Sequence, residues 1–280
     1  MKRPQIITVL VGAVVIAILY SLPRVVVENE DEFTTVEEVD SKTDPLETSS
    51  DQEAIENPHS FEILPEEREN IDRLTDKVES SASTENFLIF ADSLARAYQN
   101  QAVFDSSAKY FELVAEKSPG IESNKNAGQA YFDAFSTEVD PEKAQQLASK
   151  ARLFFEKVLD EKDDVSSKNK LAMTYIASEN PMRGIVMLRE ILEESPNNEE
   201  AIFNLGVLSI QSGQYDKAID RFENLIELNP SNLQAQIFLG VSYLETGKKN
   251  LAKEQFTKIK DQTDDPEVIA IAESYLKEIN

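Results

Sequence analysis

The sequence predicts an all-α protein: about five helix-turn-helix repeats and a capping helix, preceded by a transmembrane helix and a disordered acidic linker. Three observations carry this. Gly206, Gly213, Ala218 and Phe222 recur 34 residues later as Gly240, Gly247, Ala252 and Phe256, and self-similarity at such a period marks a stacked array. Only 8 Gly and 11 Pro punctuate the 280 residues, so chain breakers are scarce. Residues 6–22 are 17 positions without a charge.

Taken in order, residues 1–5 are a cytoplasmic tip and 6–24 the anchor. Eleven of the 17 uncharged residues from Ile6 to Leu22 are Leu, Ile or Val, which favours insertion by roughly 5 kcal/mol. A cleaved signal peptide fits less well, because the run is long and no small-x-small cleavage site follows it. Lys2 and Arg3 precede the run and Arg24 alone follows it. The positive-inside rule then leaves the N-terminus in the cytoplasm and the remainder outside, periplasmic in the inner membrane of a bacterium.

Residues 25–62 read as a disordered tether. From Glu28 to His59 there are 12 acidic residues and one Lys, too few apolar groups to offset chain entropy. A calcium loop would need alternating Asp/Asn and a Gly, and neither is present. Residues 63–83 form a lead helix. Pro65, Glu66 and Glu67 suit its first turn, and Ile71, Leu74 and Val78 make its apolar stripe. The repeats occupy 84–264, divided as 84–119, 121–162, 164–196, 197–230 and 231–264. In the second unit Gly128 and Phe155 are about 11 residues further apart than the pattern allows, so its first helix or its turn at Val139–Glu142 is extended. Residues 265–280 hold the cap, with Val268, Ile271, Ala272, Tyr275 and Leu276 on one face. Such a cap covers the apolar end that a stack leaves open.

Composition excludes several functions. With 28 Lys plus Arg against 52 Asp plus Glu, the net charge is −24, unsuited to neutralising nucleic-acid phosphates. No Cys and a single His, His59, leave thiolate sites impossible and acid/base chemistry poorly supplied. Thr246-Gly247-Lys248-Lys249 ends like a phosphate loop, but Ser242 stands where that loop needs its first Gly. No enzyme activity, cofactor, metal or small-molecule substrate is expected.

The best copy, AIFNLGVLSIQSGQYDKAIDRFENLIELNP at 201–230, resembles the tetratricopeptide repeat (TPR). It has that family's Leu-Gly in the first helix, Gly-x-Tyr at the turn, Ala-Ile in the second helix and Asn-Pro at the end. The resemblance implies a right-handed superhelix whose groove, lined by the first helices, binds protein segments. By the family's pattern, groove positions in the last three repeats are Asn169, Met173 and Ile176; Phe203, Val207 and Ile210; and Ile237, Val241 and Leu244. Each trio is one stripe at i, i+4, i+7, set apart from packing residues such as Leu205 and Leu239. The stripes are either an apolar trough for a partner or buried by the protein's own helices or tail. The corresponding positions of the first two repeats are Asp92, Arg96 and Gln99, then Lys125, Gln129 and Phe132, a polar end. The Lys/Asn pattern with which some family members clamp a chaperone's carboxylate is absent.

An anchored repeat domain is similar in architecture to the ancillary TPR subunit of the bacterial Sec translocon and to apocytochrome c-binding assembly factors. That likeness implies a membrane-anchored scaffold or adaptor, chaperone-like towards exported proteins, with the translocon or its cargo as partner. The alternatives are a structural subunit of an envelope or secretion complex with a permanently filled groove and, with reversed topology, an organelle import receptor.

Overall fold

The computed structural model describes residues 65–279, and the anchor and linker expected from the sequence lie outside them. Among the described residues there are twelve helices and no strands. They are α1 (Pro65–Glu79), α2 (Thr84–Asn100), α3 (Phe104–Lys117), α4 (Ile121–Thr137), α5 (Pro141–Glu161), α6 (Val165–Ile176), α7 (Pro181–Glu194), α8 (Glu199–Gln211), α9 (Tyr215–Leu228), α10 (Leu233–Glu245), α11 (Lys249–Gln262) and α12 (Pro266–Ile279). None of them is long and apolar enough to cross a membrane.

Local chemistry sets the boundaries. Asp164, Asn198 and Asn232 cap α6, α8 and α10, their side chains accepting from the backbone N–H three residues on at 2.8–2.9 Å. Such caps satisfy donors that a helix start leaves orphaned. The turns inside the last two hairpins need a left-handed residue, supplied by Gly213 (φ 72°) and Gly247 (φ 74°). In the first hairpin Ala102 occupies the equivalent site at φ 58°, where a Cβ is unfavourable.

Helices α2/α3, α4/α5, α6/α7, α8/α9 and α10/α11 form five antiparallel hairpins, with α1 and α12 packed on the two ends. Inside each, a small residue of the first helix faces a large one of the second. Gly206 lies so close to Phe222 that a Cβ would stand 2.7 Å from the ring, and Gly240 and Phe256 repeat this spacing. Gly128 faces Phe155 in the same way at 2.9 Å. The extra residues of the second hairpin enter as whole turns on both helices. Compared with the fourth, α4 runs about one turn further past its Gly and α5 starts about two turns earlier before its Phe. The linking turn does not lengthen. The extended turn weighed from the sequence is therefore not what the chain does. Whole turns preserve the apolar faces, so the pair packs in register, closed by Phe132, Phe135, Leu147 and Phe155.

Adjacent hairpins are joined by the tyrosine of one and a glutamate of the preceding one. Tyr131 donates to Glu112, Tyr175 to Glu156 at 2.7 Å and Tyr243 to Glu223 at 2.5 Å. Burial, and then the bonded carboxylate, push all three phenols above their ordinary pKa. At the join between the third and fourth hairpins Ser209 replaces the tyrosine and accepts instead from Arg221.

Two substitutions test this account by thermal unfolding. Ala102→Gly should stabilise by about 0.5–1 kcal/mol, since it removes a left-handed Cβ. Gly184→Ala should destabilise by about 1–3 kcal/mol, because its Cβ would sit 2.3 Å from the Ala172 carbonyl oxygen. Gly120→Ala, with no neighbour nearer than 3.9 Å, controls for steric crowding and should cost only the smaller loss of a favourable N-cap residue.

Candidate functional site: the inner face of the stack

The first helices of successive hairpins touch one another, α4 with α6, α6 with α8 and α8 with α10, while the second helices do not approach comparably. The stack therefore bends with its first helices inward, and the residues on their free faces line the inner surface.

At the N-terminal end that surface is polar and internally paired. Arg96 meets Asp92 at 2.8 Å within α2. Gln99 reaches across to Asp133 of α4 at 3.3 Å, and Gln129 donates to the same carboxylate at 2.6 Å. Burial pushes the Asp133 carboxyl above its ordinary pKa, against the two amides and the charge of Lys170. Lys125 binds Asp164 at 2.8 Å, tying α4 to the cap of α6. Lys170 donates to Ser166 at 2.7 Å and lies 3.8 Å from Glu200, linking α6 to α8. Asn169 is buried and donates to Asn198 at 3.2 Å. Arg96, Lys125 and Lys170 of this surface are thus each paired with an anion.

Towards the C-terminus the surface becomes apolar. Met173, Phe203, Ile237, Val241 and Leu244 are half-buried, whereas Ile176, Val207 and Ile210 are buried. Separation of this stripe from the packing residues does not hold for those three. Val207 and Ile210 join Ile202, Phe222 and Leu239 in one core, and Ile176 packs with Leu188 and Leu205. The reason is the bend. Inner helices approach each other, so part of each inward face meets its neighbour. Phe203 is also engaged, edge-on to Phe222 and Phe238 with centroids 6.0 and 5.6 Å away. Ile237, Val241 and Leu244 lean on the core that Phe256 shares with α12.

Sequence reasoning missed Asp133 and Lys170, which lie outside the three positions per repeat read as groove-facing. The signal was available: both are charged residues one step along the helix from a face position. Thr246, Gly247 and Lys248 form the α10–α11 turn, and Lys249 opens α11. Among the described residues no group of three His, Asp or Glu side chains is placed to hold a metal, and His59 lies outside them.

Residues 175–221 and 209–273 match the family model described as tetratricopeptide repeat. That region holds the second helix of the third hairpin and the whole of the fourth and fifth. A TPR protein from Parabacteroides merdae superposes with a TM-score of 0.58 at 15% identity, covering 76% of this chain and 82% of its own. The stack as a whole therefore has the TPR fold. MamA is 18% identical over 62% of this chain and 91% of its own, with a TM-score of 0.47. YrrB, described as a TPR protein with an unusual peptide-binding site, is 19% identical over 73% and 99%, with a TM-score of 0.44. No curated protein sequence matches this chain.

The Lys125–Asp164 contact gives a pH test. Burial alone would raise the Asp164 carboxyl, but Lys125 and the N–H and hydroxyl of Ser167 outweigh it and hold it at about 2, below its ordinary 3.8. A depressed carboxylate contributes stability above the unfolded pKa and loses it as pH falls through the folded one. Asp164→Asn keeps a capping side chain and removes the charge. It should cost on the order of 1 kcal/mol above pH 5, after screening at the partly exposed Lys125. That difference should close between about pH 4 and pH 2, as read by denaturant melts at each pH.

Proposed function

We propose that this protein is a membrane-anchored protein-interaction scaffold whose inner TPR face takes an apolar segment of a partner. The observation that carries the reading is the row of half-buried apolar side chains, Met173, Phe203, Ile237, Val241 and Leu244, on three successive inner helices. A TPR fold supplies a binding surface and no reaction chemistry. The uncharged Ile6–Leu22 run behind Lys2 and Arg3 supports a single pass with the repeats outside the cytoplasm. In a bacterial inner membrane that location suits capture of exported chains, with the Sec translocon or its cargo as partner. A second reading, a structural subunit of an envelope complex, is favoured by the fifth repeat, where Ile237, Val241 and Leu244 already lean on the terminal core.

Protease added to intact spheroplasts should digest the linker and leave a soluble fragment beginning near residue 60. Complete protection of the chain would overturn the topology. A photo-crosslinker at Met173 or Val241 in native membranes should capture a translocon subunit or an exported chain, identified by mass spectrometry. The same probe at the outer residue Asp220 should not. Equal capture from both faces would remove the groove as the binding site.

A further inference from the structure

The outer face of the second and third hairpins departs from the repeat pattern. One solvent-facing position of the second helices is occupied in the five hairpins by Lys109, Leu153, Val186, Asp220 and Glu254. Three of these are charged, and the two apolar ones belong to adjacent hairpins. Leu153 is 45% exposed and Val186 47%. One helical turn before Val186, Met182 is 42% exposed. Its counterparts are Asp105, Ser149, Asp216 and Asn250. Packing does not require apolar residues at these positions, since the other hairpins fill them with polar ones.

Two arginines stand in the same place. The Arg152 and Arg183 guanidinium groups lie 5.4 and 4.1 Å from the centre of the Tyr175 ring. They come from α5 and α7 and meet over α6, where the outer helices splay. Arg152 also donates to the Thr174 carbonyl at 2.8 Å and to Ser149 at 2.7 Å. Neither guanidinium is ion-paired among the described residues, although the chain has 52 carboxylates to 28 Lys plus Arg. The nearby Glu156 is taken by the Tyr175 hydroxyl. The face thus offers two arginines with free donor capacity beside three exposed apolar side chains, chemistry that suits an acidic segment carrying apolar residues.

The chain carries such a segment. Residues 31–40 read DEFTTVEEVD, five carboxylates around Phe33, Val36 and Val39 at three-residue spacing. Some 25 residues separate it from the start of α1, a reach of about 80 Å when extended. Packed helices lie about 8–10 Å apart, so the path from α1 to α6 is at most about 50 Å. We infer that residues 31–40 dock in cis on the outer face formed by Leu153, Met182 and Val186 beside Arg152 and Arg183, folding part of the acidic segment back onto the third repeat. Carboxylates would meet the guanidinium groups, and Phe33 and Val36 would cover the apolar side chains. This inference is independent of what fills the inner groove.

The chain has no cysteine, so introduced pairs report cleanly. In the full-length protein in detergent, Val36→Cys is combined with Val186→Cys or with Lys109→Cys, and the rate of disulfide formation is followed by mass spectrometry. Lys109 holds the equivalent position nearer to α1, so a free tether would favour it. Docking predicts the reverse, with the Val186 pair at least tenfold faster. Adding Arg183→Glu, or 0.5 M salt, should slow the Val186 pair by about tenfold. A faster Lys109 pair, indifference to both Arg183→Glu and salt, or disulfides formed between chains would overturn the proposal. Should Arg183→Glu unfold the protein, the salt series and the Lys109 comparison decide.

Discussion

The architecture depends on how closely two helix backbones can approach within one hairpin. Each hairpin places a residue with little or no side chain against a large one: Gly128 on Phe155, Gly206 on Phe222, Gly240 on Phe256. The glycine donates its missing side-chain volume to the ring, which becomes fully buried and then forms the floor for the next hairpin. Interiors pack at near-crystalline density, so this contact fixes the helix spacing, and the spacing fixes how the following hairpin seats. Lengthening the second hairpin by whole turns leaves the contact untouched. An insertion out of phase with the helix would have rotated the ring away from its glycine.

A stack built this way has two unlike surfaces. Inward, helices converge, and side chains that the pattern leaves free are drawn into neighbouring contacts. This buries Ile176, Val207 and Ile210 and makes polar residues pair across helices, as Gln99 does with Asp133 and Lys125 with Asp164. Outward, helices diverge and a position can take any residue without cost to packing. The inner face is therefore constrained by the fold as well as by any partner, whereas an apolar residue on the outer face has no such structural reason.

The joins between hairpins are unequal. Three carry a tyrosine-to-glutamate hydrogen bond, a partly buried contact whose burial raises the phenol's pKa. Between the third and fourth hairpins Ser209 is too short to cross, and an arginine of its own hairpin takes the hydroxyl instead. Stability of a repeat array is a sum of units and nearest-neighbour interfaces, so this join divides the array more readily than its neighbours. It lies where the inner surface passes from polar to apolar.

Most elements are legible in the chain alone, because the period, the recurring Gly and Phe positions and the terminal cap are local or strictly periodic signals. Asn198 and Asn232, which the sequence reading passed over, are local signals too, because their capping bonds span only three residues. Gly206 and Phe222 announce their contact because both recur together. The effects of curvature are not legible in this way. Whether Val207 faces solvent depends on how near α6 and α10 come to α8, a distance set by side chains far away in sequence. The pairing of Asp133 with Gln99, 34 residues apart, and the meeting of Arg152 and Arg183 over Tyr175 belong to the same class. No local pattern encodes them, because they arise where three consecutive helices converge or splay.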